Sequence, residues 1–156
     1  MERYKKILTQ CLLSFALISI GFAMGKHSVK PTARTGNLPG GNGDQVAVYY
    51  LHSSFRCVTC NSIEKMAREL VNQSYSNQLA SGEIVWIEDD FQENEALAKQ
   101  FELASSSVVV ARINNGEVTD FKRLDDVWIL VDEPDSFNQY ISDAIDGYLK
   151  TSEDKS

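Results

Sequence analysis

The chain has 156 residues, 43% of them hydrophobic and 24% charged, enough for one well-cored domain and too few for two. Fifteen Lys+Arg against 22 Asp+Glu leave a net charge of -7, which argues against nucleic acid as a partner held through its phosphates. The first 30 residues hold five of the bases and one acid, so the body of the chain is more acidic than the total suggests. Three cysteines are too few for a disulfide-dense scaffold; Cys57 and Cys60 form a CxxC pair and Cys11 stands apart.

Residues 1–6 are basic, and residues 7–24 are then free of charge and rich in Leu, Ile and Phe. Residues 1–24 therefore read as a targeting segment. Its apolar run sits between the length of a signal-peptide core and the ~20 residues that span a bilayer. Gly21-Phe22-Ala23 offers the small residues a signal peptidase reads, so cleaved signal and uncleaved membrane anchor both stand. Basic residues flank both ends, giving a weak lean to a cytoplasmic N-terminus. The expected location is a membrane-anchored domain on the extracytoplasmic side, or a secreted or periplasmic one. Residues 25–44, ending Pro39-Gly40-Gly41-Asn42-Gly43-Asp44, have little to bury and read as a flexible linker. A folded domain is expected over residues 45–150, with a charged tail at 151–156.

Within that domain Val46 to Leu51 is an apolar, β-branched and aromatic run, the pattern of a strand buried on both faces. Apolar residues then recur at Ile63, Met66, Ala67, Leu70 and Val71 with helical spacing, and the CxxC opens this helix. Ile84 to Ile87 reads as a second strand. Glu88, Asp89 and Asp90 are expected at the N-terminus of a second helix carrying Ala96, Leu97, Phe101 and Leu103. Val108 to Ile113 reads as a third strand, Asn114-Asn115-Gly116 as a hairpin turn, and Val118 to Leu124 as the returning strand. Val127 to Val131 fits either a helical turn or an edge strand. Pro134 opens a closing amphipathic helix with Phe137, Tyr140, Ile141, Ala144, Ile145, Tyr148 and Leu149 on one face. Tyr49, Tyr50, Trp86, Phe137, Tyr140 and Tyr148 are expected in the core.

The order is βαβαββα, a mixed central sheet flanked by helices, with Cys57-Val58-Thr59-Cys60 between the first strand and its helix. A helix N-terminus presents free N–H groups and the positive end of the dipole, both of which stabilise a thiolate. The arrangement resembles the thioredoxin-like superfamily. That resemblance implies thiol-disulfide exchange with a protein partner, with Cys57 as nucleophile and Cys60 as the thiol that resolves the mixed disulfide. Arg56 would support Cys57 if its side chain turns toward the sulfur. Where thioredoxins carry a cis-proline facing the CxxC, this chain has Ser105-Ser106-Ser107, so an all-trans loop is expected with Ser106 and Ser107 beside the site. The buried acid of thioredoxins has no counterpart on Val46 to Leu51.

More narrowly, the run from Val48 to Glu64, the segment Leu124-Asp125-Asp126-Val127-Trp128-Ile129-Leu130-Val131 and the terminal Phe-x-x-Tyr-Ile helix are similar to the nitrophenyl compound nitroreductase subunit ArsF family. With no glycine-rich dinucleotide loop in the chain, no cofactor is expected, and the resemblance implies electron relay to another component. Two other uses of the same residues are open at the level of sequence. His52, Cys57 and Cys60 could together hold Cu(I) or Zn, or the domain could be a binding module that kept the fold and lost the activity.

Overall fold

The computed structural model describes Arg3, Lys5 and residues 44–153. The chain divides into two units, Met1–Ala33 and Arg34–Ser156, and the fold described is that of the second. The expected targeting run at 7–24, nearly all of the linker, and residues 154–156 of the tail lie outside the described residues. Among the described residues no helix is long and apolar enough to cross a membrane.

Strand β1 (Asp44–His52) pairs in parallel with β2 (Ile84–Asp90) and antiparallel with β3 (Ser107–Asn114), which pairs antiparallel with β4 (Glu117–Leu124). The sheet order is β2-β1-β3-β4. β1 and β3 are interior strands, and their near-continuous apolar runs follow from burial on both sides. On one face Val46, Val48, Tyr50, Ile84, Val108, Val110 and Leu124 pack against helices α1 (Val58–Ser74) and α5 (Pro134–Glu153) through Ile63, Ala67, Leu70, Phe137, Ile141 and Ile145. On the other face Ala47, Tyr49, Leu51, Val109, Ala111 and Ile113 meet Leu97, within α3 (Glu95–Gln100), and Phe101, just past its end. The result is the expected thioredoxin-like arrangement, a mixed sheet between helices.

The hairpin between β3 and β4 turns at Asn115 and Gly116, with φ of 50° and 80°. Two successive positive φ angles are what a two-residue hairpin loop demands, and Asn-Gly supplies them at least cost.

Several boundaries differ from the sequence pattern. Glu88, Asp89 and Asp90 do not open a helix; they continue β2, in register with Tyr50, Leu51 and His52. α3 starts five residues later, where the Asn94 side chain accepts from the Leu97 amide at 3.3 Å. The competing factor is cross-strand pairing: two arginines neutralise Glu88, so a strand can carry it. A short helix α2 (Ser76–Ser81) follows Tyr75 and ends at Gly82 in the left-handed conformation; its polar sequence gave no periodic signal. The ambiguous segment forms a single helical turn, α4 (Val127–Leu130). α5 runs through Glu153, so the tail's first three residues are helical. Of the expected core aromatics, Tyr49, Tyr50 and Phe137 are fully buried, while Trp86, Tyr140 and Tyr148 are only partly so.

Burial pushes the Tyr49 hydroxyl up to about 12. Burial first, with neighbouring acids adding to it, does the same for Tyr75 and Tyr148. The Tyr75 hydroxyl also ties α1 to α5 by donating to the Asp146 carboxylate at 2.8 Å. An unfolded tyrosine ionises near ~10. With the folded values raised, the stabilising contribution is complete below the unfolded value and is lost as pH climbs toward the folded one. Denaturant midpoints should therefore fall steadily from about pH 10 upward; a midpoint that stays level to about pH 11 would contradict this account.

Candidate functional site

Three loops meet at the end of the sheet where β1, β2 and β4 finish and β3 begins: residues 53–57, 91–94 and 104–106. Cys57 is the N-cap of α1, in extended conformation with φ of -89° and ψ of 166°. Its Sγ accepts the Cys60 backbone N–H at 3.0 Å. A sulfur thus takes one of the donors that the first turn of a helix leaves unsatisfied. Cys57 and Cys60 are joined in a disulfide, with Cα atoms 5.0 Å apart. Cys57 is partly exposed and Cys60 is 5% exposed. Reagents in solution therefore meet Cys57 first. Phe55 and Val58, on either side of it, are 79% and 85% exposed, large apolar side chains that nothing in the fold covers.

Beneath the helix end sits Tyr50, fully buried on β1, whose hydroxyl donates to the Cys60 carbonyl at 2.7 Å. Burial raises its hydroxyl above the ordinary tyrosine value, with Arg56 opposing and Glu88 adding to the effect. The phenol stays neutral and acts as a donor. No acid stands on β1 near the cysteines in the sequence; Tyr50, in an apolar strand, occupies the place beneath them.

Arg56 is placed differently from its expected supporting role. Its Nε donates to Asn61 Oδ1 at 3.3 Å, Nη1 lies 3.4 Å from Glu88, and Nη2 contacts Glu64. The guanidinium also lies over the Tyr50 ring, 5.8 Å from its centroid. Arg68 completes the group, contacting Glu88 and, at 2.6 Å, Glu64. The positive charge next to Cys57 is thus spent on carboxylates of α1 and β2.

The serine loop is held in place by hydrogen bonds. Ser106 is 6% exposed; its Oγ accepts the Ser53 N–H at 3.2 Å and its carbonyl accepts the Trp128 indole N–H at 2.8 Å. Ser107, 1% exposed, has its hydroxyl 3.2 Å from the Val108 carbonyl and 3.4 Å from Asp125. All peptide bonds among the described residues are trans. Ser106 therefore links the β3 loop to the segment that enters the CxxC, and Trp128 on α4 holds Ser106 from behind. Trp128 was missed as a site residue because the structure of its segment was ambiguous.

The three-ligand metal set does not assemble. His52 Nδ1 is 3.1 Å from the Ser53 carbonyl and Nε2 faces Glu88 at 3.8 Å, while both sulfurs are consumed in the disulfide. Among the described residues no group of three or more His, Cys, Asp or Glu side chains is placed to hold a metal ion. A cavity of about 530 Å³ between β4 and α5 lies toward the other end of the sheet, where Arg112 donates to the Tyr148 carbonyl at 2.7 Å. That bond secures the last turns of α5 and has no part in the disulfide site.

No family model matches the chain. No curated protein matches it. Among solved structures it is similar to thioredoxin from Trypanosoma brucei brucei, with 14% identity and a TM-score of 0.45 over 76% of this chain and 88% of that one. It is also similar to Trxlp from Edwardsiella tarda EIB202, with 14% identity and a TM-score of 0.43 over 70% of this chain and 91% of that one. The chemistry of the site rests on its own atoms.

Replacing Trp128 with Phe keeps the ring's bulk but leaves the buried Ser106 carbonyl without its donor. Trp128→Phe should cost about 1–2 kcal/mol in denaturant unfolding and should speed hydrogen exchange at the Ser53 amide, two bonds along the same chain of contacts. Unchanged exchange at Ser53 would show that the serine loop does not depend on the indole.

Proposed function

We propose that this domain carries out thiol-disulfide exchange, moving two electrons between the Cys57/Cys60 pair and a protein partner. The observation that supports the reading is the disulfide capping α1, with one sulfur accessible and the other buried. In the reducing direction the Cys57 thiolate attacks one sulfur of the partner's disulfide, forms a mixed disulfide and releases the partner's other sulfur as a thiolate. Cys60 loses its proton and attacks Cys57 Sγ. The second partner thiolate leaves, the Cys57–Cys60 bond closes, and the partner has gained two electrons. With a partner dithiol as donor, the same steps run backward.

The closer resemblance to the nitroreductase subunit ArsF family supports a relay role, in which this chain passes electrons to or from another component. The uncharged run at residues 7–24 supports export, with the domain on the extracytoplasmic side either tethered by an uncleaved anchor or released after cleavage. An oxidising compartment would suit a cycling disulfide.

In the reduced protein Cys57 should react first with iodoacetamide while Cys60 is protected. Cys57→Ser should abolish exchange with a disulfide substrate, and Cys60→Ser should accumulate a mixed disulfide visible on a non-reducing gel. Equal, slow alkylation of both cysteines with no exchange would leave the binding-module reading in its place. Cell fractionation tests the location separately: the chain should be found with membranes or outside the cytoplasm, and an intact N-terminus in the cytosolic fraction would overturn export.

A further inference from the structure

A helix N-terminus with an arginine in the adjacent position would ordinarily stabilise a thiolate twice over, through the dipole and through the cation. A strongly stabilised thiolate favours the reduced form, and a couple whose reduced form is favoured acts as an oxidant. The structure departs from that combination. All three nitrogens of Arg56 have partners: Asn61 on α1 for Nε, Glu88 on β2 for Nη1 and Glu64 on α1 for Nη2. Arg68 bonds the same two carboxylates. The two cations and two anions cancel, in a cluster whose members are only about one-fifth to two-fifths exposed. His52 on β1 faces the same Glu88 oxygen at 3.8 Å, and Tyr50 lies under the Arg56 guanidinium.

We infer that Glu88 is a positioning residue that draws Arg56 onto the carboxylates of α1 and β2, cancels its charge one residue from Cys57, and so makes the Cys57/Cys60 pair less oxidising than it would be without Glu88. The inference rests on the thiol-disulfide reading and concerns how strongly the thiolate of that same pair is stabilised. Glu88 is the member to single out because it comes from another element. Glu64 is on the same helix as the cysteines and four residues from Arg68, whereas Glu88 reaches the cluster only because β2 runs parallel to β1 with Glu88 opposite Tyr50. With Glu88 neutral, Glu64 alone faces both Arg56 and Arg68, and the cluster that begins one residue from Cys57 carries one net positive charge.

The test uses the purified full-length chain and two readouts: the pH profile of Cys57 alkylation in the reduced protein, and the equilibrium of the pair against reduced and oxidised glutathione. Glu88→Gln should move the alkylation profile down by about half a pH unit and, measured at a pH above that profile where Cys57 is a thiolate, shift the glutathione equilibrium toward the dithiol about threefold, the two figures being one free energy there. Glu88→Asp, which keeps the charge, should lie close to the unaltered protein. The double variant Arg56→Gln with Glu88→Gln should return both readouts, because the charge that Glu88 cancels is then gone. A Glu88→Gln profile that stays put or moves up, or a double variant that keeps the full shift of the single one, would overturn the inference. If the unaltered protein fails to equilibrate with glutathione at all, the exchange reading falls, while the alkylation profiles still decide the role of Glu88.

Discussion

The first turn of α1 carries amide hydrogens that no intrahelical carbonyl can accept, and the Cys57 sulfur takes the one from Cys60 at 3.0 Å. A cap usually provides an oxygen. With sulfur in that position, the helix start and the reactive atom become the same feature, so whatever fixes the first turn of α1 also fixes the chemistry. Tyr50 does this from below, donating to the Cys60 carbonyl from a fully buried position on β1. Its neighbours Tyr49 and Leu51 face the opposite layer, so β1 has little freedom to slide: a shift of one residue would turn Tyr50 out of its layer and put Tyr49 in its place.

The same register that sets Tyr50 under the helix sets Glu88 beside it on β2. Two arginines and two glutamates from three segments close around this point, and each charge has a partner of opposite sign. Exposed pairs contribute little to stability because water and salt screen them. The value of this cluster therefore lies in placement: it decides where the charge of Arg56 is spent, one residue away from a sulfur whose ionisation depends on local charge.

Much of this fold was legible in the sequence because the deciding signals were local. The two-face burial of β1 showed as an unbroken apolar run, the hairpin as Asn115-Gly116, and α5 as a stripe of apolar residues behind Pro134. The CxxC was legible in the same way, since its position between a strand and a helix follows from element order. The rest depended on contacts distant in sequence. Arg56 turns toward Glu88, 32 residues on, and nothing near Arg56 in the chain indicates that. Glu88 to Asp90 read as helix-opening acids because acids favour helix N-termini; pairing with β1 and compensation by two arginines overrode the local preference. Trp128 lies in a five-residue apolar segment too short for periodicity to decide, and its indole acts on Ser106, 22 residues back.

The serine loop is held by hydrogen bonds rather than by a ring. A proline ring stiffens a loop by removing backbone freedom, at no cost in hydrogen-bonding partners beyond its own missing N–H. Serines add no such stiffness, so this loop must be held by bonds, and the hydroxyl and carbonyl of Ser106 are both used: the hydroxyl accepts from Ser53 and the carbonyl from Trp128. Each bond contributes only about 1 kcal/mol net, but both run to segments that the core already fixes, Ser53 just past β1 and Trp128 beside the buried Val127. The loop is therefore as rigid as its anchors. One anchor, Ser53, lies four residues before Cys57, so a single backbone amide joins the serine loop to the segment that enters the CxxC.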